Sequence, residues 1–78
     1  MSSPTFTVGD RVRLQETPPY LKTAEPRPML RPPQLVKPGE IGVITAAHPG
    51  GQWAVRFARG SFLFDSQQLE WVPPGVGE

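Results

Sequence analysis

Side chains able to do chemistry are scarce in this 78-residue chain: it has one histidine, His48, no cysteine, and carboxylates scattered at Asp10, Glu16, Glu25, Glu40, Asp65 and Glu70. Acid–base or nucleophilic catalysis needs such groups to converge. His48 stands directly before Pro49-Gly50-Gly51, a string that reverses the chain, and so reads as a turn residue. Ser61 or Ser66 with His48 and Asp65 would supply the types of a Ser-His-Asp set, yet neither serine sits in the glycine pattern that lifts a nucleophile out of a strand. With no cysteine there is no thiolate nucleophile, no disulfide and no thiolate zinc ligand. One histidine and dispersed carboxylates lack metal-ligand spacing, and Pro49-Gly50-Gly51 is followed by neither a Lys-Ser/Thr pair nor a helix that would cradle phosphate. The residues predict a protein that is not an enzyme, with no metal, no cofactor and no small-molecule substrate.

What remains is chemistry of contact. Eight Lys and Arg face seven Asp and Glu, a net charge of +1. The balance is uneven, with +3 on residues 1–37 and −2 on residues 38–78. Arg11 and Arg13 alternate with Val12 and Leu14, and Arg56 alternates with Val55 and Phe57, so these arginines point away from the apolar faces of their strands. If the strands are neighbours, the three form one basic face. That face is either a solvated strand surface or a site for an anionic partner, whether an acidic protein or, as in KOW-like β modules, nucleic acid. A net charge of +1 is low for a nucleic-acid footprint.

A second candidate surface is the proline-rich run over residues 16–37, which holds Pro18, Pro19, Pro26, Pro28, Pro32 and Pro33 together with Tyr20, Lys22, Arg27, Met29, Leu30 and Arg31. Prolines stiffen an extended chain and reduce the entropy lost on docking. Tyr, Met and Arg are types that anchor interfaces. The apolar members have an equally simple use as a lid over an underfilled core.

The elements that would position these residues all have period two. Alternation predicts strands around residues 11–15, 41–46, 52–58, 61–64 and 70–72, with a hairpin turn at His48-Pro49-Gly50-Gly51 and a 3₁₀ turn at residues 66–69. Trp53, Phe57, Phe62 and Phe64 are expected in the core and Trp71 at its rim. Six prolines exclude an interior strand from residues 16–37, which reads as an irregular flap. The prediction is an all-β domain, a small SH3-like five-stranded antiparallel barrel with a long Pro-rich loop after the first strand. It would span residues 6–72, flanked by disordered segments at 1–5 and 73–78. No apolar run approaches the ~20 residues of a membrane span, and the N-terminal residues lack a secretory pattern, so a soluble, cytoplasmic monomer is expected.

Four strings go beyond the generic barrel pattern: Val8-Gly9-Asp10-Arg11-Val12-Arg13-Leu14, Pro18-Pro19-Tyr20-Leu21-Lys22-Thr23-Ala24-Glu25, Pro28-Met29-Leu30-Arg31-Pro32-Pro33 and Gly51-Gln52-Trp53-Ala54-Val55-Arg56-Phe57. With these the chain resembles the small cyanobacterial SipA family of NblS-interacting proteins over most of its length. The resemblance implies an SH3-like regulator that binds the ATP-binding region of a sensor histidine kinase and stimulates its autophosphorylation in stress and high-light signalling. It assigns no contact residues. The candidate protein-binding set is therefore the physical one: Arg11, Arg13, Tyr20, Lys22, Arg27, Met29, Leu30, Arg31 and Arg56.

Overall fold

The computed structural model describes residues 6–24 and 29–73. The predicted disordered residues 1–5 and the tail beyond Pro73 lie outside that range, as does Arg27. Seven strands run in chain order as β1 (Arg11–Leu14), β2 (Leu21–Thr23), β3 (Leu30–Arg31), β4 (Ile41–His48), β5 (Gln52–Phe57), β6 (Gly60–Asp65) and β7 (Leu69–Val72). Short 3₁₀ turns at Pro33–Leu35 and Ser66–Gln68 precede β4 and β7. All pairings are antiparallel, in the order β3-β2-β6-β5-β4-β1-β7.

The three longest strands form a meander whose turns follow from glycine. Gly50 and Gly51, both at positive φ (83° and 78°), close the β4–β5 hairpin, a conformation that costs glycine no Cβ clash. A bulge between Ile44 and Ala46 shifts the register, and the Thr45 hydroxyl donates to the Ala54 carbonyl at 3.2 Å. β1 is clasped between β4 and β7. Its ladder extends backward, with Gly9 N–H on the Ile44 carbonyl and Ile44 N–H on the Asp10 carbonyl.

Alternation fills the inner face. Val12 and Leu14 of β1, Ile44 of β4, Val55 and Phe57 of β5, Phe62 and Phe64 of β6 and Leu69 of β7 meet in one cluster with Phe6 and Val36. Phe57 and Phe64 meet edge to face with centroids 5.6 Å apart, and Phe6 meets Trp53 in the same way at 5.4 Å, the geometry ring quadrupoles favour. Gly42, opposite Val12, is the gap these rings need: a Cβ there would come within 2.7 Å of Val55 Cγ1, 2.8 Å of the Arg56 carbonyl and 2.9 Å of Phe57 Cδ1. The sheet curls around this cluster. Leu21 of β2 and Leu69 of β7, from strands near opposite edges of the sheet, share this core.

The all-β antiparallel expectation holds, and two parts of it are corrected. There are seven strands, not five, and among the described residues the hydrogen bonding runs open from β3 to β7. The Pro-rich segment is also not an irregular loop. It carries β2, β3 and a 3₁₀ turn, and β2 is an interior strand between β3 and β6. The physical reason is placement. The prolines flank Leu21–Thr23 and Leu30–Arg31 without interrupting either, so every ladder N–H is present. Of the four aromatics expected in the core, Phe57, Phe62 and Phe64 are buried. Trp53 is half-buried and packs against the cluster from its margin. Trp71 is 49% exposed, at the rim as expected.

Candidate functional site

Two members of the imagined catalytic set, Ser66 and Asp65, are committed to structure. Ser66, itself buried, accepts a hydrogen bond from Trp53 Nε1–H at 2.8 Å and donates to the Gly51 carbonyl at 3.4 Å, tying the β4–β5 turn to the 3₁₀ turn before β7. Asp65 accepts from the Gln52 side chain at 3.3 Å, and its backbone N–H is held by the Gln68 side chain at 3.0 Å. These bonds are those of a fold being fastened.

The basic face forms as alternation requires. Arg56 of β5 lies opposite Val43 of β4, and Val43 lies opposite Arg11 of β1. The two arginines thus share a row two strand spacings, ~10 Å, apart. Arg11 is half-buried and Arg56 exposed. Arg13, two residues along, lies opposite Glu70, and its Nε stands 3.3 Å from Glu70 Oε1, so its charge is answered within the chain. Arg13 is answered within the chain while Arg56 stands in solvent, so the three arginines do not make a uniform patch.

The Pro-rich residues assemble elsewhere. β2 and β3 make a short hairpin with Leu21 opposite Arg31 and Lys22 opposite Leu30. Its mouth is closed by Thr23, whose N–H donates to the Met29 carbonyl at 2.9 Å while its hydroxyl accepts the Met29 N–H at 2.8 Å. Ala24 N–H reaches the Ser61 carbonyl, fixing the hairpin to β6. Leu21 is the buried root of this hairpin, whereas Tyr20, Met29 and Leu30 are 51%, 55% and 63% exposed. The lid reading therefore fails for these three and holds for Leu21. Tyr20 and Lys22 line a small hollow with Leu63 and Gln68 on one side of the hairpin.

On the other side Met29 and Arg31 line an open groove of about 510 Å³, shared with Thr23, Ala24, Leu35, Phe62 and the turn residues Arg59, Gly60 and Ser61. Arg59 is the member that sequence reasoning missed. Gly60 marks a turn beside Arg59 in the sequence, but the groove that Arg59 shares with Arg31 depends on β2 pairing with β6 through Lys22–Leu63 and Thr23–Phe62, and local pattern does not reveal β2. Of the nine candidate residues, the hairpin gathers Tyr20, Lys22, Met29, Leu30 and Arg31; Arg11, Arg13 and Arg56 lie on the β1–β4–β5 side; Arg27 lies outside the described residues.

Comparison with known proteins gives the chain a lineage. Residues 8–69 match the CRR42-like family, described as Protein CHLORORESPIRATORY REDUCTION 42-like. The chain is 41% identical over 72 residues to the Arabidopsis thaliana protein named Protein CHLORORESPIRATORY REDUCTION 42, chloroplastic, an alignment covering 91% of this chain and 60% of that protein. The chain thus spans about three fifths of the length of the relative it matches. No solved structure matches it.

These findings overturn the SipA resemblance and what it implied. The strings that suggested it lie within or against the matched stretch, so they are features of a different family. A small β module with a Gly-Asp-Arg-Val first strand serves unrelated jobs, and fold-level likeness does not carry function. The sensor-histidine-kinase partner, the stimulation of autophosphorylation and the two-component stress-signalling role are therefore withdrawn. The cytoplasmic assignment conflicts with a relative named as chloroplastic and is withdrawn with them. The matched stretch takes in every strand from β1 to β6 and the first residue of β7, and the chain is a member of the CRR42-like family.

Proposed function

We propose that this chain is a non-catalytic protein-docking module, of SH3-like curled-barrel build, that serves chlororespiratory reduction by presenting its β2–β3 hairpin to a protein partner. The observation that carries the reading is the exposure of Tyr20, Met29 and Leu30 on a hairpin whose root, Leu21, is fully buried. A chain of 78 residues has little apolar side chain to spare, and large apolar groups held in solvent on a short hairpin are a mark of a binding surface. The SH3-like reading is supported by the long insert after the first strand, the meander that follows, the 3₁₀ turn before the last strand and the clasp of β1 between β4 and β7. The process is taken from the name of the Arabidopsis relative, of which the chain covers three fifths.

Replacing the matched stretch of that relative with this chain, in plants lacking the native protein, tests the reading. The chimera is expected to restore chlororespiratory reduction. The same chimera carrying Tyr20→Ser and Leu30→Ser is expected to accumulate normally and fail to restore it. Full restoration by the substituted chimera would remove the hairpin as the docking element.

A further inference from the structure

The groove beside the hairpin carries more than an apolar anchor. Arg31, from β3, and Arg59, from the β5–β6 turn, line the same 510 Å³ groove, and among the described residues no carboxylate lines it. The ion pair of Arg13 with Glu70 lies away from it on β1 and β7. Met29, Leu35 and Phe62 line the groove with the two arginines. Two guanidinium groups in one groove without a carboxylate among the described residues carry like charge that incoming carboxylates would answer. Guanidinium pairs with carboxylate in a planar, two-bonded geometry stronger than a neutral hydrogen bond, and methionine adapts its shape to an incoming side chain.

From this charge complementarity we propose that the groove receives an acidic segment of a partner protein, with one carboxylate on Arg31, another on Arg59 and an apolar side chain between them against Phe62 and Leu35. This deepens the docking reading and rests on it. A nucleic acid fits less well: phosphate tracking draws on a run of cations, whereas here the groove holds two arginines beside Met29, Leu35 and Phe62, and Arg13 is already paired.

The probe is a short blocked peptide with a leucine between pairs of glutamates, compared with its glutamine counterpart and with a short DNA duplex, each titrated into the isotopically labelled chain and followed by amide NMR. The acidic peptide is expected to move the Thr23, Ala24, Ser61 and Phe62 amides, and the glutamine peptide to leave them in place. Arg31→Glu and Arg59→Glu are each expected to weaken binding by about tenfold, the scale of one charge-assisted contact, while Lys37→Glu, the same charge change outside the groove, leaves it unaltered. Where charge reversal disturbs the amide pattern of the free protein, Arg31→Gln and Arg59→Gln give the same reading. Equal binding of the glutamine peptide, shifts confined to other surfaces, or DNA moving the same amides more strongly would each overturn the proposal. If the groove amides stay still while the Tyr20→Ser, Leu30→Ser chimera still fails in plants, the groove is wrong and the docking reading survives. If that chimera succeeds, the docking reading itself falls.

Discussion

The meander β4–β6 and the β2–β3 hairpin are built from the same kinds of residue and put them to opposite use. Strands of six to eight residues in the meander send alternate apolar side chains inward and leave little apolar surface behind. The hairpin strands have three and two residues, bury Leu21 alone and hold Tyr20, Met29 and Leu30 in solvent. Long paired strands make enough cross-strand contacts to support a core by themselves, whereas a short isolated ribbon is marginal in water. The hairpin therefore borrows its order from the meander, through Leu21 in the core and the pairing of β2 with β6. What it does not need for stability is free for recognition.

The sharpest test of this division is a pair of leucines within the hairpin. Leu21→Ala is expected to lower unfolding stability by about 3 kcal/mol, the range for emptying a fully buried leucine site. Leu30→Ala, one cross-strand pair away, is expected to cost less than about 0.5 kcal/mol. Urea denaturation of both variants decides it, and equal losses would mean that the hairpin is a structural brace throughout. A smaller effect probes the meander's side of the comparison. Gly42→Ala places a methyl group against Val55, Phe57 and the Arg56 carbonyl, and overpacking of this kind is expected to lower stability by about 2 kcal/mol with a matching fall in Tm. A neutral outcome would show that the rings around Gly42 have slack. The smallest effect belongs to the outer face. Glu70→Gln removes the partner of Arg13 at 3.3 Å between side chains 37% and 55% exposed. The expected loss is within about 0.5 kcal/mol and shrinks as salt is raised.

These contrasts also explain what the sequence disclosed. Period-two alternation is a strong signal over residues 52–57 and 11–14, and those strands stand where it put them. It has no power over two or three residues, so β2 and β3 were masked by the prolines around them. The error was to let those prolines speak for the residues between them. Trp53 was placed fully in the core because its strand position is inward. Its indole N–H finds Ser66 at the margin, and that bond holds the ring half out. At the site, the sharing of one row by Arg11 and Arg56 was legible once both strands were seen to flank β4. The sharing of one groove by Arg31 and Arg59 was not, because it passes through a strand that local pattern could not reveal. The family lay beyond physical reading altogether: a first strand, a turn and a proline-rich insert are common property of small β modules.

Among the described residues the two outermost strands of the sheet are brief and stopped by proline. β3 ends at Arg31 with Pro32 and Pro33 behind it, and β7 ends at Val72 with Pro73 behind it. An edge strand is a template on which another copy of a chain can grow, and proline supplies no N–H to continue the ladder. The molecule can thus leave apolar side chains in solvent without offering a long backbone template beside them. Sticky surface and fibril-forming surface are kept apart, which would spare a docking module of the proposed kind aggregation through its own sheet edges.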